Sequence, residues 1–119
     1  MERRRVVVTG LGAINAIGHN VEETWKSIKE GVCGIDEITN YDKELTKVKI
    51  AGEVKNFNAA DYLDKKAVRK MDRFTQFGVI AAKEAFKDAG LKIEEIDADR
   101  FGVVVSSGIG GLATIEKDH

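Results

Sequence analysis

Two short apolar runs interrupt an otherwise mixed pattern, Val6–Val8 near the start and Phe101–Val105 near the end. Continuous β-branched runs of this length mark strands buried on both faces, as in a parallel sheet. Each run breaks into glycines, "TGLGAINAIG" after the first and "SSGIGG" after the second. Between them the spacing turns helical. Val21, Trp25 and Ile28 recur at i, i+4, i+7 and predict a helix over about Val21–Glu30. Asn20 is placed to cap it, Glu23 completes a capping box, and Gly31 supplies the stop.

Residues 32–57 carry no sustained period, although "KVKIAGEV" alternates weakly and suits a short strand or hairpin arm. Asn58 is placed to cap a short helix through Leu63. A long helix is predicted from about Lys65 to Ala89, with a break near Lys70–Asp72, and Gly90 as its left-handed stop with Leu91 folding back. Gly78, Ala81, Ala82, Ala85 and Ala89 form a ridge of small residues that another backbone can approach, and Met71, Phe74 and Phe77 extend the buried side. "LATIEKDH" opens a last helix. The order β-α-irregular-α-β-α predicts an α/β fold with parallel strands and packed helices, without repeats or an internal boundary over residues 1–119. Two strands leave both sheet edges open, so the expectation is part of a domain, prone to self-association.

Composition narrows the function classes. With 119 residues, 43% hydrophobic, 33% charged and a net charge of −1, the chain is one globular domain's worth. It gives no global argument for nucleic acid or a membrane as partner. A single cysteine, Cys33, excludes an intrachain disulfide and fits a reducing compartment. Three arginines precede the first apolar run, but Gly10, Gly12 and Asn15 interrupt it too early for a signal peptide. No run approaches the ~20 apolar residues of a membrane span. The expected location is cytoplasmic.

The first glycine loop invites a nucleotide reading, and its spacing defeats it. G-x-G-x-x-G starting at Gly10 needs glycine where Asn15 stands, and no acidic residue closes a strand about 20 positions later. A phosphate loop ending at Gly18 would need Lys where His19 stands. Cys33 follows a helix C-terminus, where the dipole disfavours a thiolate, and neither His19 nor His119 has a spacing that makes it a base for this thiol. These three residues are also too scattered for zinc, so no metal or other cofactor is implied. Two features keep both a functional and a structural reading. Lys66, Arg69, Lys70 and Arg73 share one face if their segment is helical, suiting either an acidic partner or plain solvation. Residues 106–111 are either a turn or a cradle of backbone N–H groups.

"RRVVVTGLGAI", "IKEGVCGI", "MDRFTQFGVIAAKEAFKDAGL" and "GVVVSSGIGGL" together resemble the N-terminal part of the β-ketoacyl-[acyl-carrier-protein] synthases, the elongating condensing enzymes of bacterial fatty-acid synthesis. The resemblance runs over essentially the whole chain and well under half of such an enzyme. It implies a thiolase-like fold, a homodimer or complementary fragment, and decarboxylative condensation of an acyl thioester with malonyl-acyl carrier protein. The family's Cys-His-His set falls beyond residue 119, which implies no catalytic residue here and no activity of this chain alone. By resemblance, Lys66, Arg69 and Lys70 dock the acyl carrier protein, and Ile109 gates the acyl pocket by excluded volume. Asn15 and Ala16 stand where the family usually reads Thr-Pro, and the chain has no proline where about six are usual. Natural drift and redesign both account for that. Two alternatives stay open: an inactive α/β fragment serving only as a structural or association unit, and a nucleotide-binding domain.

Overall fold

The computed structural model describes residues 3–119. The chain divides into two compact units: Ala13–Arg69, and residues 3–12 together with Lys70–His119.

In the first unit, helix α1 spans Val21–Lys29. Its start follows the sequence signal, with the Glu23 N–H donating to Asn20 Oδ1 at 2.8 Å and the Glu23 carboxylate accepting from the His19 N–H at 2.8 Å. Its end is a Schellman motif: Gly31 takes φ +68°, and Val32 and Gly31 donate to the carbonyls of Ser27 and Ile28. The face expected to be buried is nonetheless open, with Trp25 and Ile28 more than half exposed.

An antiparallel pair follows, β1 (Ile35–Glu37) and β2 (Ile50–Gly52), with Asp36 opposite Ala51. β2 lies inside the alternating "KVKIAGEV". Asn58 caps a 3-10 turn at Ala59–Asp61 through the Ala60 N–H, and Ile38, Ala59 and Leu63 form this unit's buried core. Asp64 caps the short helix α2, Lys65–Val68, by accepting from the Lys66 and Ala67 N–H groups.

The second unit is built on helix α3, Arg73–Asp88, which buries Ile80. It ends as expected, with Gly90 at φ +66° and the Leu91 N–H donating to the Phe86 carbonyl. Helix α4 covers Leu112–Asp118.

The expected parallel strands are where the structure departs from the sequence pattern. Among the described residues the one ladder is β1–β2, which is antiparallel, and neither Val6–Val8 nor Phe101–Val105 belongs to it. Val6 is 93% exposed and Val104 95% exposed. A strand needs a neighbour's backbone as well as an apolar face. The chain following Val6–Val8 is fixed on α3 instead, through the close approach of its glycines to the helix.

Candidate functional site

Three features present themselves as candidate sites: the two glycine loops and the basic segment. In the first loop the glycines serve close approach. A Cβ on Gly12 would stand 1.9 Å from the Ala81 carbonyl oxygen, and one on Gly10 would stand 2.2 Å from that of Ala85. The small ridge of α3 therefore admits a backbone, as its spacing predicted, and the Leu11 N–H donates to Asp88 Oδ2 at 2.9 Å.

The loop continues into the first unit, where Asn15 closes it. Asn15 Oδ1 accepts from the Ile17 N–H at 2.9 Å, while its Nδ2 donates to Thr24 Oγ1 at 3.0 Å. Thr24 in turn donates to the Asn20 carbonyl at 2.7 Å. Asn15 thus holds through side-chain hydrogen bonds a turn that a proline would hold by its fixed φ. Next to it, His19 Nε2 lies 2.8 Å from the Lys55 carbonyl; a carbonyl can only accept, so this nitrogen carries the proton. The His19 ring meets Phe57 edge-on, and Phe57 stacks on Tyr62.

Near the hairpin, two carboxylates titrate below their ordinary range. Lys55 donates to Asp36 at 2.6 Å and holds its carboxyl down, helped by the Glu37 N–H. Thr39 does the same for Glu53, its hydroxyl donating at 2.7 Å, against a smaller opposing cost of desolvation. Both acids brace the hairpin. Cys33 is a free, exposed thiol whose Sγ lies 3.7 Å from the Ile35 carbonyl. Among the described residues no group of three or more His, Cys, Asp or Glu side chains is arranged to hold a metal.

The basic segment is not one helical face. Lys66 lies in α2 and Arg69 is its C-cap, one turn apart and both exposed. Lys70, also exposed, falls in the turn that separates α2 from α3. Arg73 opens α3, with its guanidinium 5.2 Å from the Phe77 ring centre. The continuous i, i+3, i+4, i+7 stripe fails because Asp72, in extended backbone, restarts the helix.

The second glycine loop is open. A side chain on Gly108 would meet nothing within 4 Å, and Ile109 is 77% exposed. Below the loop, Gly110 rests on the Phe74 ring, and Gly111 takes φ +69° beside Asp72. Asp72 makes no capping bond to α3 and instead accepts from the Thr114 hydroxyl. Phe74, Gly78 and Ala82 on α3, with Val105, Ser106 and Ser107, line a groove of about 330 Å³. Ile109 is not among its lining residues. Sequence reasoning missed this groove, although Phe74, Gly78 and Ala82 at i, i+4, i+8 mark a furrow on one helix face.

Residues 3–119 match the family model of the β-ketoacyl synthase N-terminal domain. The chain belongs to the β-ketoacyl synthase family. It is 53% identical over 118 residues to the 3-oxoacyl-[acyl-carrier-protein] synthase 2 of Staphylococcus aureus strain COL, covering 99% of this chain and 28% of that enzyme. It is 46% identical to the synthase 2 of Vibrio harveyi, covering all of this chain and 29% of that one. This β-ketoacyl synthase domain thus spans under a third of the length of the curated relatives it matches. Among solved structures it resembles the ishigamide ketosynthase/chain length factor, with a TM-score of 0.70 and 37% identity over 80% of this chain and 24% of that one. It also resembles a ketosynthase solved with its type II polyketide synthase acyl-carrier protein, with a TM-score of 0.61 and 29% identity over 81% of this chain and 25% of that one. The helices and small sheet are those of a partial α/β fragment of a ketosynthase. Among the described residues no helix is long and apolar enough to cross a membrane.

Proposed function

We propose that this chain is the N-terminal part of a cytoplasmic condensing enzyme of fatty-acid synthesis, inactive by itself. The observation that carries the reading is the 53% identity to a 3-oxoacyl-[acyl-carrier-protein] synthase over 99% of the chain. In the whole enzyme an acyl group passes from its carrier to a cysteine thiolate. Decarboxylation of malonyl-carrier protein releases CO₂ and leaves a carbanion, which attacks the acyl thioester and expels the thiolate. This chain contributes framework and surfaces to that reaction. Cys33 Sγ lies against the Ile35 carbonyl and His19 Nε2 against the Lys55 carbonyl, so the two side chains are not paired with each other.

Two surfaces carry the rest of the proposal. Lys66, Arg69 and Lys70 dock the acyl carrier protein, an acidic partner suited to exposed cations; the carrier-bound ketosynthase among the structural relatives supports such a partner. Ile109 gates the acyl pocket by its bulk, and its exposure on the open second loop leaves it free to meet a substrate or another chain. A second reading, an association unit without catalytic context, is favoured by the bare valine runs; self-pairing or a complementary fragment would cover them.

A chimera tests the first reading. This chain is substituted for the matching segment of the Staphylococcus aureus synthase, and malonyl-carrier-dependent condensation is measured. Retained activity is expected, with Ile109→Ala widening the range of acyl lengths accepted. A folded but inactive chimera overturns the reading, and an unchanged acyl profile removes Ile109 from the gate.

A further inference from the structure

Ile109 is 77% exposed, so its side chain receives little support from packing within this chain. A residue that selects by bulk must nonetheless keep its place, to within about 0.5 Å in a well-built site. Its backbone therefore has to supply the fixing, and fixed points lie just beyond it. A Cβ on Gly110 would stand 2.6 Å from the Phe74 ring, and one on Gly111 would stand 2.6 Å from Asp72 Oδ2. The Gly111 carbonyl accepts from the Ile115 N–H at 3.0 Å, inside the first turn of α4. Two residues of backbone join Ile109 to Gly111, a reach of about 7 Å at most.

Asp72 is the unusual member of this arrangement. Asn20, Asp42, Asn58, Asp64 and Asp97 each accept from a backbone N–H of the helix or turn they begin. An aspartate there ordinarily satisfies one of the N–H groups that a helix start leaves unbonded. Asp72 stands in the same position before α3 and makes no such bond. Its Oδ1 accepts instead from the Thr114 hydroxyl in α4, while Oδ2 faces Gly111. The turn behind it is tied to α3 by Gln76, whose Nε2 donates to the Met71 carbonyl at 3.0 Å. Neither Asp72 nor Thr114 lines the groove beside α3, so neither is placed to touch an acyl chain there.

We propose that Asp72 is a positioning residue. By holding Thr114 and the left-handed Gly111 against the start of α3, it fixes Ile109 where that side chain limits acyl length. This rests on the gate reading above and deepens it by naming what aims the gate.

Two removals and two conservative replacements test it. Asp72→Ala and Thr114→Val each delete the bond from one side, whereas Asp72→Asn keeps an acceptor and Thr114→Ser keeps a hydroxyl. In the chain alone, either removal should shift the Ile109 nuclear magnetic resonance signals and speed exchange of the Ile115 N–H about tenfold. Ile80 signals in α3 should stay in place, and the conservative replacements should follow wild type. In the chimera with the Staphylococcus aureus synthase, either removal should widen the range of acyl lengths while condensation of the preferred length is kept. Added to Ile109→Ala, Asp72→Ala should widen the range no further, since both act on one gate. A merely stabilising bond would lower condensation of all lengths together and leave the range alone. Ile109 signals unmoved by either removal, an active chimera with an unchanged range, or further widening on top of Ile109→Ala would each overturn the role of Asp72. An unsubstituted chimera that folds without activity would instead overturn the condensing-enzyme reading, and this proposal with it.

Discussion

The two glycine loops of this chain look alike in sequence and behave oppositely. The first follows a valine run and packs its glycines against α3, leaving less than 2.5 Å between a would-be Cβ and the Ala81 or Ala85 carbonyl oxygen. The second also follows a valine run, yet Gly108 has open space around it and Ile109 stands in solvent. Glycine in the first loop is a packing requirement; in the second it leaves the loop accessible. The first loop is scaffold, and the second carries Ile109, the residue proposed above as the acyl-pocket gate.

The largest effect that would break this contrast is at Gly12. Gly12→Ala should destabilise the chain by about 3 kcal/mol in urea unfolding, because backbone atoms of two elements must separate. Gly108→Ala should stay within about 0.5 kcal/mol. Equal effects at the two positions would erase the distinction. Gly111 sharpens it from within the second loop: at φ +69° and against Asp72, alanine there should cost about 1 to 2 kcal/mol. Asn15→Ala should cost about 1 kcal/mol, having lost the Ile17 and Thr24 hydrogen bonds that close the first loop. The smallest effect concerns Glu53, whose folded carboxyl titrates below its ordinary 4.5. Its contribution is complete above about pH 4.5 and fades as pH falls through the depressed folded value. Glu53→Gln should flatten the acid limb of the stability profile; an unchanged limb would detach Glu53 from the Thr39 turn.

What the sequence made legible is local. Asn20 with Glu23, Gly31, Asn58 and Gly90 act where their spacing put them, because caps and left-handed stops are satisfied within a few residues. The alanine ridge was also readable, since close approach needs only small side chains at helical spacing. The parallel strands were not. A valine run states a preference for burial without naming the backbone that will satisfy it, and these runs find none among the described residues. The basic stripe failed for a related reason: residue spacing assumes a continuous helix, and Asp72 restarts it. Trp25 and Ile28 repeat the lesson, on a helix whose ends were correct and whose apolar face stays open.

The most direct test of the contrast between scaffold and available surface joins it to the family. Isotope-labelled acyl carrier protein is titrated with this chain at low salt, then with Lys66→Glu/Arg69→Glu/Lys70→Glu, and with Asn15→Ala as the scaffold control. The account predicts chemical-shift changes on the carrier that fade at high salt, vanish with the charge-reversed chain and persist with Asn15→Ala. Carrier shifts that are absent, or that are the same with the charge-reversed chain, would contradict it.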